Sequence, residues 1–134
     1  MNKFQKEQVC LRIFSDDLDF DDIQRNIPLS ARISKKGDIR YGITFEADVM
    51  TFEVDCDKEK LTDKISCVLN SLDPYKEYIK KIAKKYDVIL RIYLESDMAQ
   101  IYSYLPLEII TKMTEMSLAL EVSIWSEGKV EASY

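Results

Sequence analysis

Asp16, Asp17, Asp19, Asp21 and Asp22 crowd the stretch DDLDFDD, which follows LRIFS and leads into IQRNI. Carboxylates at this density could ligate a hard cation, serve as acid and base, or start a helix. Asp17, Asp19 and Asp21 fall at the first, third and fifth ligand positions of a calcium loop. The rest of that loop is missing. The sixth position, where glycine makes the sharp turn, is Asp22, and the twelfth, where a bidentate glutamate closes the shell, is Pro28. An acid–base pair needs two carboxylates held across a substrate, and neighbours in one loop do not set that geometry. Helix initiation uses more of the residues. With Asp19 as N-cap, its carboxylate accepts from free amides of the first turn, and Asp21 and Asp22 sit where negative charge suits the helix dipole. Leu18 before the cap and Ile23 at the fourth helical position have the spacing of a hydrophobic staple. The stretch is therefore expected to start a helix and to hold no metal. Asp16 and Asp17 are left over, free to close the turn or to face a ligand.

Other reactive groups are scarce. The chain has no histidine, which removes the commonest general base and the Ser/His and Cys/His nucleophile pairs. Carboxylates beside arginines remain: Asp16 and Asp17 with Arg12 and Arg91 could do acid–base work or grip a polar ligand. Cys10, Cys56 and Cys67 are spaced like neither zinc ligands nor a redox pair, and read as buried or half-buried free thiols. Lys76, Lys80 and Lys84 share a helix face and read as solvated surface near a helix C-terminus. No cofactor is implied.

These residues must be carried by elements with a legible period. Val9, Leu11 and Ile13 alternate with Cys10, Arg12 and Phe14 in a first strand. A short helix over Phe20–Asn26 is stopped by Pro28. Residues 31–55 hold strand material, with Tyr41, Ile43 and Phe45 in one alternating run and Met50, Phe52 and Val54 in another, and with turns at Gly37-Asp38 and Ala47-Asp48. Leu61, Ile65, Val68 and Leu72 form one helical stripe. Asp73 and Pro74 can cap and open a second helix carried by Ile79, Ile82, Ala83 and Tyr86. Val88 to Glu95 alternates as a strand, residues 96–105 are irregular, and Pro106 opens a helix on Leu107, Ile110 and Met113. Leu120, Val122 and Ile124 alternate with Glu121, Ser123 and Trp125 in a closing strand. The order calls for an α+β fold: a two-layer sandwich, mostly antiparallel, with helices packed mainly on one sheet face. Leu11, Ile13, Leu90, Ile92, Leu120 and Val122 are expected inside, against Ile65, Leu69 or Leu72, and Ile110.

The chain has 134 residues, 46% hydrophobic and 32% charged, with a net charge of −5. That suits one domain, residues 1–134, large enough for a core without staples. The acidic balance gives no global footprint for nucleic acid. No apolar run is long enough to span a bilayer, and MNKFQKEQVC has no apolar leader core, so a cytoplasmic protein away from membranes is expected.

LRIFSDDLDFDDI also resembles the opening signature of the bacterial domain-of-unknown-function 4279 family, Leu-Arg-Ile followed by Gly-Asp-Asp-Leu-Asp-Pro before a short helix. Leu11, Arg12, Ile13, Asp16, Asp17, Leu18 and Asp19 match, while Ser15 replaces the family's Gly and Phe20 its Pro. Lys36-Gly37, the aromatic Phe52, Leu72-Asp73-Pro74 and the closing strand–helix–strand are similar too. The resemblance implies an α+β domain and no activity.

Two functional classes fit. In the first, strand alternation sets Arg12, Phe14, Arg91, Tyr93 and Trp125 on the face opposite the core, where Arg, Tyr and Trp could bind a protein partner or a second copy. A non-catalytic adaptor module follows, and a small acidic chain could by analogy be immunity-protein-like, neutralising a basic toxin. In the second, a small-ligand sensor or carboxylate enzyme uses Asp16 and Asp17 with Arg12 and Arg91. A concave site lined by these residues favours the second class, and a flat aromatic face the first.

Overall fold

The computed structural model describes residues 6–98 and 104–129. Its main sheet has the order β2–β5–β1–β6–β7, from β1 (Lys6–Ser15), β2 (Ala31–Ser34), β5 (Asp48–Glu53), β6 (Asp87–Met98) and β7 (Ala119–Lys129). All pairs are antiparallel except β6–β7. A separate hairpin pairs β3 (Ile39–Arg40) with β4 (Ile43–Thr44). The helices are α1 (Phe20–Asn26), α2 (Leu61–Leu72), α3 (Lys76–Ile82) and α4 (Leu107–Glu115). This is the α+β sandwich that the strand and helix periods require.

The core begins at the centre of the sheet. Leu11 on β1 pairs with Phe52 of β5 on one side and Leu90 of β6 on the other, and all three are fully buried. Ile13 repeats the arrangement with Met50 and Val88. Onto this face the helices lay Ile23 and Ile27, Ile65, Val68, Leu69 and Leu72, Ile79 and Ile82, and Ile109, Met113 and Met116. Among the described residues, the helices thus cover one face of the sheet.

Coverage ends at β7. The register extends the apolar rows outward, Leu90 to Leu120 and Ile92 to Val122, yet Leu120 and Val122 are 44% and 49% exposed. The alternation expected for these residues is correct, but their burial is not, because β7 is an edge strand and the helix layer is centred on β1, β5 and β6. Helix α4 also differs from expectation. It turns Ile109, Met113 and Met116 inward and leaves Ile110 exposed at 45%, a rotation of about one residue.

Other departures are local. Tyr41 to Phe45 does not continue as one strand. The chain reverses at Tyr41 and Gly42, with φ of 53° and 76°, the double positive φ of a tight two-residue hairpin turn. Asp73 makes no side-chain cap; α2 runs through a 3₁₀ turn, Asp73–Tyr75, straight into α3. Strand β6 persists to Met98, and residues 99–103 of the segment expected to be irregular lie outside the described residues, as do 1–5 and 130–134. Helix α4 ends with Ser117 at φ 58°. There Leu118 N–H donates to Met113 O and Ser117 N–H to Thr114 O, a Schellman ending that aims the chain into β7.

Truncating Leu90 to Ala should cost about 2–5 kcal/mol, while Val122→Ala should cost less than about 1 kcal/mol. Urea unfolding of both variants checks this. Equal losses would mean that β7 is covered as fully as β6.

Candidate functional site

The aspartates have structural work to do. Asp19 caps α1, accepting from the Asp22 amide at 3.1 Å, and Leu18 and Ile23 on either side of the cap are both buried in the core. Asp22 accepts from the Tyr78 hydroxyl at 2.7 Å. Burial and this carboxylate push the Tyr78 phenol well above its ordinary pKa. Asp16 lies 3.8 Å from Lys36 Nζ with 86% of its side chain exposed, and Asp17 is exposed next to Ser15, whose Oγ accepts its amide at 3.4 Å. Among the described residues no cluster of carboxylates or thiols converges on a cation position.

A carboxylate the sequence did not single out organises this end of the sheet. Asp48, first residue of β5, accepts from Leu18 N–H at 3.1 Å and Lys36 N–H at 2.8 Å. It ties the turn before α1 to the base of the hairpin. The two amides, Lys36 first, hold its pKa below the ordinary value. Its partners lie 12 and 30 residues away, so no local pattern announces them.

The concave site lies on the helix-free face. Alternation turns Cys10 and Arg12 of β1, Arg32 and Ser34 of β2, Val49 and Thr51 of β5, and Arg91 of β6 away from the core. Register brings them together: Arg12 pairs with Thr51, Thr51 with Arg32, and Cys10 with Arg91. The β3–β4 hairpin supplies a wall with Arg40, Tyr41, Ile43 and Phe45, closing a cleft of about 400 Å³. Arg40 Nη2 donates to Ile33 O at 3.1 Å, pinning the hairpin to the edge of β2. Below it, Gly37 N–H donates to Phe45 O at 2.8 Å and Phe45 N–H to Asp38 O at 2.9 Å. Tyr41 holds a left-handed conformation that disfavours a side chain, in the wall of the cleft.

Among the described residues, four arginines and no carboxylate line the cleft. Their counter-charges stand at its margins. Glu121 of β7, opposite Arg91 in register, places Oε1 2.9 Å from Arg91 Nε and 3.8 Å from an Arg12 Nη. The Arg91 N–H is not aligned with that oxygen, so the buried Nε makes an ion pair but spends no hydrogen bond. Glu53 sits 3.1 Å from Arg32. The Arg12 guanidinium lies 5.8 Å above the Phe14 ring. Burial raises the Cys10 thiol pKa, opposed by the neighbouring Arg91 charge, the opposite of the lowering that activates a thiol.

The structure thus joins Arg12 and Arg91 and keeps Phe14 beside them. Tyr93 and Trp125 share the face but do not line the cleft, and Trp125 is 61% exposed. Asp16 and Asp17 do not line it either; Arg12 and Arg91 pair instead with Glu121. Sequence reasoning missed Arg32, Arg40, Tyr41 and Thr51. The alternation in ARIS could have flagged Arg32, but Arg40 and Tyr41 enter only because the expected strand is a hairpin. The cysteines differ as well. Cys10 is free and buried, whereas Cys56 and Cys67, expected as free thiols, form a disulfide with Cα atoms 6.2 Å apart. The loop after β5 folds back onto α2 and brings them together.

Fold and cleft define a two-layer α+β domain with a basic, hairpin-walled concavity on its bare sheet face. The chain belongs to the family described as Domain of unknown function (DUF4279), whose model matches residues 3–127, nearly the whole length. No curated protein and no solved structure matches it. Among the described residues no helix is long and apolar enough to cross a membrane.

Two substitutions test the structural roles given to the aspartates. Asp19→Ala should lose about 1 kcal/mol as its cap is removed. Asp48→Asn keeps one acceptor and loses the charge. Because the folded Asp48 pKa is depressed, its stabilisation is present above the unfolded value near 3.8 and is lost as pH falls through the folded value. The variant should therefore be less stable than wild type at neutral pH, and the gap should close below pH 3.8. Urea unfolding across a pH series checks both the loss and its disappearance.

Proposed function

We propose that this chain is a non-catalytic binding module that holds a small carboxylate-bearing ligand in the arginine-lined cleft. One observation carries the reading: Arg12, Arg32, Arg40 and Arg91 converge on one concavity with no carboxylate among the described residues that line it, in a chain whose net charge is −5. Arginine is the residue that grips planar anions in two-point fashion. Glu121 illustrates the chemistry, since its carboxylate already sits beside Arg91 and Arg12. The volume, about 400 Å³, falls in the range of small-ligand sites, roughly 300–1,000 Å³.

A catalytic reading finds little support. Histidine is absent, Cys10 is buried with its thiol pKa raised, and Asp16 and Asp17 do not line the arginine cleft. A basic toxin would meet four arginines here, so the cleft does not favour an immunity protein either. Tyr93 and Trp125 leave an aromatic flank on which a protein partner bearing the carboxylate could extend. The Cys56–Cys67 bond favours an oxidising compartment over the cytoplasmic placement expected from the sequence.

Calorimetric titration with citrate, and with inorganic phosphate as comparison, tests the reading. Citrate should bind more tightly than phosphate and more weakly as salt rises. Arg12→Gln with Arg91→Gln should weaken citrate at least about tenfold, the loss of a single charge-assisted hydrogen bond. Asp16→Asn with Asp17→Asn should leave it unchanged. No citrate binding at millimolar concentration, or binding indifferent to the arginines, overturns it.

A further inference from the structure

Strand β7 leaves the sheet unfinished. It is the outer strand, and among the described residues no second strand pairs with Ala119 to Trp125 on the side away from β6. In a parallel pair only alternate residues turn their amide and carbonyl toward the neighbour, so the others of β7 point theirs outward. An edge of this kind is a template for another strand, and proteins usually blunt it with Lys, Pro or a bulge. Lys129 and a register shift against β6 come only after Ser126; from Ala119 to Trp125 there is no Lys and no Pro, and the register is unbroken. The one charge, Glu121, is drawn toward Arg91 and Arg12. Leu120, Val122 and Ile124 meanwhile stand about half exposed in a row on the helix-bearing face.

The strand fits itself. Antiparallel pairing about a two-fold axis at Val122 sets Val122 against Val122 and Leu120 against Ile124, so every member of the exposed row meets an apolar partner. On the other face Glu121 meets Ser123 and Ala119 meets Trp125, with no like charges opposed. The neighbouring two-fold registers are worse. Centred on Glu121, the strand opposes that carboxylate to itself; centred on Ser123, it sets Leu120 against Ser126. We propose that the chain forms a symmetric dimer through β7, joining the two five-stranded sheets edge to edge. The axis stands perpendicular to the sheet, so both helix layers lie on one side and both arginine clefts on the other. A stable dimer buries about 1,200 Å² or more in total. Beyond the strand itself, the exposed Leu107 and Ile110 of α4 offer apolar surface in the same helix layer.

Sedimentation velocity of the full chain, from micromolar to near-millimolar concentration, tests the proposal. Wild type should associate to a dimer. Val122→Asp and Val122→Lys, which place like charges across the axis, should each weaken association at least tenfold with far-ultraviolet circular dichroism unchanged. Mixing the two variants should restore the dimer, because residue 122 then faces its opposite charge. If the charged variants fail to fold, Val122→Cys with a short bis-maleimide decides instead, a cross-linked dimer being expected. The proposal is overturned by a wild type that stays monomeric, as it would if the chain's own residues 99–103 or 130–134 occupied the edge. It is equally overturned by a dimer that Val122→Asp leaves intact, by folded variants that stay monomeric when mixed, or by no cross-link at residue 122.

Discussion

The row Phe52–Leu11–Leu90, side by side across the three central strands, is the constraint from which the rest follows. Three fully buried side chains in register fix which face of each strand belongs to the core. Period two then leaves no choice for the residues between them. Thr51, Cys10, Arg12 and Arg91 must emerge on the far side, and the same strand pairing that packs the core brings them together. The cleft is the reverse side of the hydrophobic core. A one-residue slip of β1 or β6 would expose the apolar row and bury an arginine, and a slip of β5 would bury Thr51, so packing energy guards the cleft's geometry without any residue being reserved for that task.

The charges are arranged against the average of the molecule. A chain of net charge −5 gathers four arginines in one concavity and places the compensating Glu121 and Glu53 at its margins. Mutual repulsion of guanidinium groups favours anything anionic that enters between them. The hairpin adds a rigid side wall. Its turn puts Tyr41 into a left-handed conformation, and the Arg40 bond to Ile33 O holds it against β2. Asp48 secures the base of the same hairpin through Lys36 and the start of α1 through Leu18, so one carboxylate sets the relation of two loops that approach the sheet from different parts of the chain.

Local interactions were legible and distant ones were not. Leu18, Asp19 and Ile23 announced the start of α1 because cap and staple lie within six residues, and strand alternation placed Leu11, Ile13, Leu90 and Ile92 correctly. Alternation says which face a side chain takes, but not whether anything covers it. That is why Leu120 and Val122 point to the core side and are still half exposed. Helix α4 shows the matching weakness, since a stripe of Leu107, Ile110 and Met113 competes with Ile109, Met113 and Met116, and only the sheet beneath decides. Tyr41-Gly42 hid a turn inside an alternating run, and with it the wall of the cleft. Cys56 and Cys67 met through a loop whose path no spacing rule specifies.

Strand β7 links the two surfaces for which a function is proposed. One face of it carries Glu121 to the arginines, and the other carries the apolar row that the helices leave bare. Both follow from the period-two alternation of β7 in its register against β6, and the parallel direction of that pair needs the crossover that contains α4. A carboxylate ligand entering the cleft must share Arg91 and Arg12 with Glu121, so its affinity is a difference between two carboxylates' interactions rather than the full strength of either. That competition penalises weak or single-point anions most, because they gain least on displacing a carboxylate already held close by the strand register. A ligand with several carboxylates can engage Arg32 and Arg40 as well, which Glu121 does not contact in any ion pair described, and the cleft's selectivity would rest on that difference.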